Sequence, residues 1–430
     1  MEDLNKTNTP NILDFGEPHK ENCIIKVIGV GGGGGNAVNH MYNEGIHDVT
    51  YVLCNTDNKA LQDSPVPYKL QLGKDGLGAG NRPQKAREAA LESIDDIKEM
   101  LNDGTRMVFI TAGMGGGTGT GAAPIIAQCA KDAGILTVGI VTIPFKFEGK
   151  RKILQALDGV EEISKHVDAL LVINNERLRE LYPELTLLNA FAKADDTLSV
   201  AARSIAEIIT MRGKINLDFE DVTTVLKDGG VAIMSTGYGE GENRVTKAIQ
   251  QALDSPLLNN NDIYNSERIL ININFGAEAS ENEVTMEEMN EVHEFMDKFH
   301  NDVETKWGMA VDDSLGSKVK ITLLATGFGL KNVPGMPENK WEPEPETEER
   351  DLERIEKVYG QSNDKTNTQR RPNIFIFDDD MMDNNDTIAM VENTPTHKRT
   401  KEELKKIQEK NTQKEDTNGH EEPVSNHIVF

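Results

Sequence analysis

The chain has 430 residues, of which 37% are apolar and 27% charged, and its formal net charge is −26. That length fits two or three domains, and so large an acidic excess argues against nucleic acid or an anionic lipid surface as a direct partner. No run of about 18 apolar residues occurs, which excludes a membrane-spanning helix. The polar stretch of residues 1–22, with Pro10 and Pro18, lacks the basic-then-apolar pattern of a signal peptide. The expectation is a cytoplasmic protein that inserts into no membrane itself and reaches one through a partner. Cys23, Cys54 and Cys129 are spaced unlike a metal site or a disulfide framework and are expected to be small buried residues.

In chain order, Cys23-Ile24-Ile25-Lys26-Val27-Ile28-Gly29-Val30 reads as a buried strand and residues 36–44 as a helix. Thr50-Tyr51-Val52-Leu53 is a second strand, and Pro83 opens one long helix through Leu101, a favourable place for proline. Residues 107–112, 137–143 and 168–174 are further short β-branched runs with helical stretches between them. Alternation of this kind, with strands apolar throughout, predicts a parallel sheet covered on both faces. Residues 196–212 form a long helix stopped by Gly213, apolar on more than one face and therefore packed on two sides.

From Asn216 the pattern changes. Val231-Ala232-Ile233-Met234, Ile269-Leu270-Ile271-Asn272-Ile273 and Val319-Lys320-Ile321-Thr322-Leu323 are strands, the last two partly alternating. Thr285 and Glu288 make a capping box ahead of a helix carrying Met286, Met289, Val292, Met296, Phe299 and Val303 on one stripe. This is a second, smaller α/β domain. After Lys331 the composition turns to Glu, Asp, Lys, Asn and Thr, which bury too little apolar surface to fold. Two islands interrupt it: Ile374-Phe375-Ile376-Phe377, and a short helical stretch from Thr400 with Glu403 in capping position.

Gly31-Gly32-Gly33-Gly34-Gly35-Asn36 follows the first strand directly. Glycines let a backbone turn tightly and bring its N–H groups against an anion at a helix N-terminus. With Asp57 about 20 residues on, in position to bind a ribose, this cluster alone fits NAD as well as any other nucleotide. A second cluster, Gly113-Met114-Gly115-Gly116-Gly117-Thr118-Gly119-Thr120-Gly121, follows the strand ending at Ala112. It lacks the Gly-Lys-Ser/Thr of a P-loop, so no lysine reaches the terminal phosphates. Two opposed backbone cradles suit a triphosphate, whereas an NAD-dependent oxidoreductase needs one.

The run from Gly115 to Gly121 resembles the G-G-G-T-G-T-G signature of the tubulin/FtsZ family. The resemblance spans about residues 23–330 and includes Cys54-Asn55-Thr56-Asp57, Gly76-Leu77-Gly78-Ala79-Gly80, Pro144-Phe145-Lys146-Phe147-Glu148-Gly149 and Asn216-Leu217-Asp218-Phe219-Glu220-Asp221. It implies a Rossmann-like parallel-sheet GTPase domain joined by a long central helix to a smaller α/β domain, with disordered tails. The expected boundaries are 1–22 for the leading segment, 23–195 for nucleotide binding, 196–213 for the helix, 214–330 for an activation and polymerisation domain, and 331–430 for an acidic linker and tail. The ligands implied are GTP or GDP with Mg²⁺.

By the same resemblance, Gly31, Gly32, Gly33, Gly34, Gly35 and Asn36 hold the α-phosphate and guanine edge. Asn55, Thr56, Gly78, Ala79 and Gly80 lie beside the phosphates. Gly113 and Gly116 belong to the second loop, and Gly117, Thr118 and Gly119 wrap the β-phosphate. Glu148 contacts the ribose, Phe191 stacks on guanine and Asp195 accepts from its N1 and N2 hydrogens, an edge adenine does not present. Lys152 stands where the family usually has arginine, which keeps the charge but loses the planar fork. Asn174-Asn175, in place of the commoner Pro-Asn, is expected to alter only a loop.

Asn216, Asp218 and Asp221 follow the long helix. A helix of about 17 residues rises roughly 25 Å, which carries these acids away from their own chain's nucleotide. A head-to-tail neighbour would bring them to the next subunit's terminal phosphate, and such a contact does not close but builds a filament. In the resembling family, acids here complete the GTPase site in trans, position the attacking water and help hold Mg²⁺. The competing readings are that Asp218 merely caps the next helix, or that the filament does not hydrolyse nucleotide. The resemblance also implies a homopolymer that forms a ring at midcell, with membrane-anchoring and regulatory division proteins docking on the tail.

Overall fold

A computed structural model describes residues 23–329 and Arg354, apart from 46–47, 212, 256–262, 278–281 and 300–302. Both islands of the tail therefore lie outside the described residues. The first half alternates as its sequence predicts: β1 (Ile25–Val30), α1 (Gly31–Glu44), β2 (Val49–Asn55), α2 (Asn58–Gln62), β3 (Tyr68–Gln71), α3 (Pro83–Glu92), α4 (Ile94–Leu101), β4 (Met107–Gly113), α5 (Thr118–Asp132), β5 (Leu136–Ile143), α6 (Lys150–Ser164) and β6 (Ala169–Asn174). Short α7 (Asn175–Leu181) leads to α8 (Leu187–Thr210). The second half contains β7 (Gly213–Ile215), α9 (Phe219–Leu226), β8 (Gly230–Gly239), α10 (Arg244–Leu253), β9 (Arg268–Phe275), α11 (Met286–Met296), β10 (Glu304–Val311) and β11 (Val319–Phe328).

All strands join one 11-stranded sheet in the order β3-β2-β1-β4-β5-β6-β8-β11-β9-β10-β7. The first six are parallel, and all but the edge strand β3 are buried through most of their length. Two residue pairs, Ala169 with Gly230 and Leu170 with Val231, carry the sheet from β6 into β8. Beyond them β11 runs antiparallel to both β8 and β9. Helices cover both faces, which separates the apolar interior into two large clusters.

Chain order reverses between β1 and β4, since β2 and β3 lie on one side of that pair and β5 and β6 on the other. In open α/β sheets ligands bind outside the carboxyl ends of the strands at such a switch point. The two glycine clusters leave β1 and β4. The position of the site thus follows from topology before any side chain is considered.

Several elements depart from expectation for identifiable reasons. The first helix begins at Gly31, not at residue 36: packing against β4 holds glycines helical despite their low propensity. The stretch from Pro83 to Leu101 breaks at Ser93, whose hydroxyl accepts from Gly73 N–H at 3.0 Å. Asp57 caps α2, accepting from Lys59 and Ala60 N–H, and so serves the chain's own backbone in place of a ribose. The long helix starts at Leu187, nine residues before residue 196, with Thr186 as its cap, and Gly213 opens β7 instead of stopping the helix. Strands β9 and β11 are buried on both faces, not alternating. The capping box at Thr285 and Glu288 forms, but α11 ends at Met296 and Met286 is exposed. Cys54 and Cys129 are buried free thiols, whereas Cys23 is only half-buried. No described helix is long and apolar enough to cross a membrane.

The 24 residues of α8 span roughly 36 Å at 1.5 Å each. Its packing on two sides is as the sequence predicts. Ser199 Oγ lies 3.2 Å from His40 Nδ1 on α1, and Glu207 pairs with Lys320 of β11 at 2.7 Å.

A buried charge anchors β1. Lys26, 2% exposed, donates to Met100 O and to Asp103 Oδ2, the latter at 2.8 Å. Burial alone would raise the Asp103 carboxyl, but hydrogen bonds from Lys26 and Thr105 outweigh it and hold the group below its usual range. A lowered carboxylate stabilises the fold above pH of about 4 and loses that contribution as pH falls through its folded value. Asp103→Ala should cost about 1–3 kcal/mol by stranding the ammonium. The double substitution Lys26→Met with Asp103→Ala should recover most of that loss, as read by urea denaturation at pH 7. In Asp103→Asn the acid limb of the stability profile should flatten.

Candidate nucleotide site

Helices α1 and α5 both begin at the switch point, and neither N-terminus has a side-chain cap. Their first-turn N–H groups are thus left for an anion, which the helix dipoles also favour. The two turns touch. Gly31 sits at φ 72°, and a Cβ there would stand 2.8 Å from Gly119 N. Around Gly32, by contrast, a Cβ would meet nothing within 4 Å, so the cradle is open on that side. Gly33 faces Gly113, and Gly32, Gly33 and Asn36 are exposed, while Gly34 is packed against β4 and Gly35 faces β2.

The loop after β2 closes the cradle. Thr56 Oγ1 lies 2.7 Å from Thr118 Oγ1, and Gly78 N–H donates to Thr56 O at 2.9 Å. Asn55 accepts from Asp57 N–H through its Oδ1. Gly117 abuts Ala79, whose Cβ would lie 2.8 Å from one added at Gly117, and Gly80 turns the loop at φ 58°. The sequence-predicted phosphate residues thus converge from three segments. Gln155, which motif reading missed, fixes the second loop: its Nε2 donates to Gly115 O at 3.1 Å and to Gly116 O at 2.9 Å. Holding those carbonyls turns them away from the cradle and leaves the amides facing it.

An aromatic group borders the same end of the sheet. Phe145 is fully buried, and Phe147 stacks on it at 5.1 Å. Phe191 meets both edge-on at 5.2 and 6.3 Å and stays 38% exposed, so a ring face remains free to stack. One helical turn on, Asp195 accepts no hydrogen bond among the described residues; burial pushes its carboxyl up to about 6, with His40 pulling weakly down. Glu148 accepts from Phe145 N–H at 2.9 Å and pairs with Lys152 at 3.2 Å, so Lys152 is held by its own helix turn.

The pair Asn174-Asn175 is not loop but a helix start: Asn174 caps α7, and Asn175 opens it. Asn175 Oδ1 is buried with no partner. The sequence did not single out this buried carbonyl oxygen, which lacks a donor among the described residues.

The acids lie at the opposite pole. Glu220, between Asp218 and Asp221, pairs with Arg106 at 2.9 Å, and Arg106 stacks over Phe219 with its guanidinium carbon 4.5 Å from the ring centroid. Arg106 precedes β4 immediately, whereas the second glycine loop follows it. At about 3.3 Å per residue the two ends of β4 are roughly 20 Å apart. Asp218 and Asp221 form a reciprocal capping box at the start of α9, so capping is observed. It occupies Asp218 Oδ1 and Asp221 Oδ2. Asn216 Oδ1 accepts from Gly213 N–H at 2.7 Å and shapes the turn.

Comparison with known proteins agrees with this geometry. The chain is 52% identical over 409 residues to the cell division protein FtsZ of Porphyromonas gingivalis, covering 91% of this chain and 87% of that one. The chain belongs to the tubulin/FtsZ family. The family's GTPase-domain model matches residues 24–183, its C-terminal-domain model residues 230–329, and a further FtsZ C-terminal model residues 369–414. FtsZ of Azotobacter vinelandii is 45% identical, covering 72% of this chain and 79% of its own. The solved empty FtsZ dimer of M. jannaschii superposes with a TM-score of 0.65 at 38% identity, covering 72% of this chain and 89% of that one.

As a member of the tubulin/FtsZ family with its GTPase domain, the protein binds guanine nucleotide and hydrolyses GTP, and the NAD reading is set aside. The 369–414 match spans both tail islands. Gln155→Leu should loosen the second loop and weaken GDP binding about 10-fold or more, because two partly buried carbonyls lose their donor. Fluorescent-nucleotide titration of the unassembled subunit checks this, with Gln155→Glu expected to be no better.

Proposed function

We propose that this GTPase assembles head to tail into filaments that form the division ring, each junction completing a hydrolytic site from two subunits. One observation carries the reading: the phosphate cradle and the acids Asp218 and Asp221 occupy opposite poles of one sheet. A subunit cannot bring them together, whereas translation of a second copy along the strand axis can. Relatives named as cell division proteins support the cellular role, with the ring gathered at midcell on the cytoplasmic face of the membrane.

In this reading Gly31–Gly35 and Gly117–Gly119 hold the α- and β-phosphates through backbone N–H groups, with Asn55, Thr56 and Gly78–Gly80 beside them and Gly113 and Gly116 shaping the loop. Glu148 and Lys152 face the ribose. Phe191 stacks on the base, Asp195 accepts from guanine N1–H and N2–H, and Asn36 and Asn175 face its remaining edge. The neighbour's Asp218, with Oδ2 free, orients water for attack on the γ-phosphorus. As the new P–O bond forms, the bond to the β–γ bridging oxygen breaks, giving GDP and inorganic phosphate. Hard oxygen donors suit Mg²⁺; Asp218 and Asp221 are the carboxylates that would help hold it, and when bound it neutralises charge on the phosphates. Asn216 supports the acids by fixing their turn.

A membrane-anchoring protein would dock on the tail. The quartet Ile374, Phe375, Ile376 and Phe377 is our choice of docking element, supported by the family C-terminal model that spans it. Removing residues 331–430 should leave hydrolysis and assembly intact and abolish recruitment to the membrane.

ATP should be a poor substrate, and Asp195→Asn should narrow the gap between GTP and ATP. Because the Asp195 carboxyl is raised to about 6 in the free subunit, it takes up a proton as pH falls through that value and ceases to accept from guanine. GDP affinity should therefore drop below pH 6, and in Asp195→Asn that pH dependence should vanish; equal turnover of ATP and GTP by the unmodified protein would refute the assignment. Asp218→Ala should bind GTP normally yet hydrolyse it at under a tenth of the normal rate. Mixed with a Thr118→Tyr subunit that cannot bind nucleotide, it should regain activity at mixed junctions, and failure of every mixture to do so would count against a shared site.

A further inference from the structure

We propose that Lys306 is a positioning residue of the hydrolytic junction, holding Asp221 in place and offsetting one of the two negative charges that meet the neighbour's terminal phosphate. This rests on the shared-site reading above. Lys306 Nζ lies 3.0 Å from Asp221 Oδ1. With Asp221 Oδ2 accepting from Asp218 N–H at 3.2 Å, both oxygens of Asp221 are engaged. Among the described residues Asp218 is hydrogen-bonded through Oδ1 alone, which accepts from Asp221 N–H at 2.8 Å. The two acids therefore divide their work: Asp221 is clamped between strand and helix, and Asp218 keeps a free oxygen for water.

The backbone places Lys306 here independently of that ion pair. Met309 of β10 stands opposite Ile215 of β7 in an antiparallel register. Lys306 lies three residues before Met309 and Asp218 three residues after Ile215, so the antiparallel direction of the two segments brings them to the same end of the pair. Gly308 permits the approach, since a Cβ there would stand 2.6 Å from Leu217 Cγ. Leu217, buried against this bare stretch of β10, carries Asp218 and the start of α9 over the strand. A side chain at position 308 would lift the acids off Lys306.

Electrostatics gives the arrangement a purpose. Asp218 and Asp221 without a counter-charge would repel the triphosphate they are meant to serve. Other charges nearby are committed elsewhere or carry the wrong sign: Glu220 pairs with Arg106, and Arg268 lies 3.9 Å from Glu304, which itself sits near Lys306. Among the described residues Lys306 is the cation bonded to this acid pair. Burial would raise the Asp221 carboxyl, but hydrogen bonds from Lys306 and Asp218 N–H hold it below the usual range.

The test is steady-state hydrolysis by the full chain at concentrations where sedimentation shows full assembly. For Lys306→Met we expect kcat to fall at least 10-fold and GDP affinity of the unassembled subunit to stay within twofold. Lys306→Arg should restore kcat to within threefold. A Lys306→Met protein with kcat within twofold of the parent would overturn the inference. So would a loss that merely tracks failure to sediment and that arginine does not repair. Asp218→Ala in parallel separates the two levels: if it hydrolyses normally, the shared-site reading fails, whereas loss there with normal Lys306→Met fails only the role of Lys306.

Discussion

Parallel strands point their carboxyl ends to one side, and in this sheet that polarity decides where each half of the chemistry can lie. Loops leaving β1, β2 and β4 at their carboxyl ends gather the glycines, Thr56 and Thr118 into one cradle. Arg106, fixed at the amino end of β4, holds Glu220 and with it the start of α9 at the other pole. Helix α8 spans between them, with Phe191 and Asp195 near its start and β7 after its end. Separation by roughly 20 Å of strand leaves each subunit with two unlike ends, and unlike ends are what a polar filament requires.

The acidic balance of the chain explains the form of the cradle. With a net charge of −26, the protein offers a triphosphate no favourable overall field. Binding falls to local donors, and two uncapped helix starts supply them at fixed geometry. Lys152, the cation placed by sequence at this end, is taken up by Glu148. On the proposed reading these backbone donors meet the α- and β-phosphates, the terminal phosphate is left to the junction, and a site so divided would withhold hydrolysis until a neighbour arrives.

What the sequence reveals of this arrangement depends on how local each signal is. Glycine clusters, the alternation of strands with helices and the capping box at Thr285 are written in neighbouring residues and are found where expected, as is the cap at Asp218 that competes with its catalytic reading. The helix start at Gly31 escapes because packing against β4 overrides the break that glycine signals, and the start at Leu187 escapes because it rests on the Thr186 cap while the first turn stays exposed. The roles proposed for Phe191 and Asp195 come from family resemblance, since nothing in an amphipathic stripe distinguishes a base-stacking ring from core. Gln155 and Arg106 act on partners 40 and 114 residues away in sequence, and a lone polar residue on a helix or strand end gives no warning of that. Asn175 gives no sequence signal; only the fold shows its oxygen buried and unpaired among the described residues.

Phosphate release from GTP, measured per subunit across a wide range of protein concentration with sedimentation in parallel, tests the divided site most directly. Head-to-tail completion predicts specific activity near zero below a threshold and a steep rise at the concentration where polymer first sediments. Activity per subunit that stays constant down to nanomolar concentration, with no polymer present, would mean that one chain holds the whole site and that the separation of its two poles has been misread.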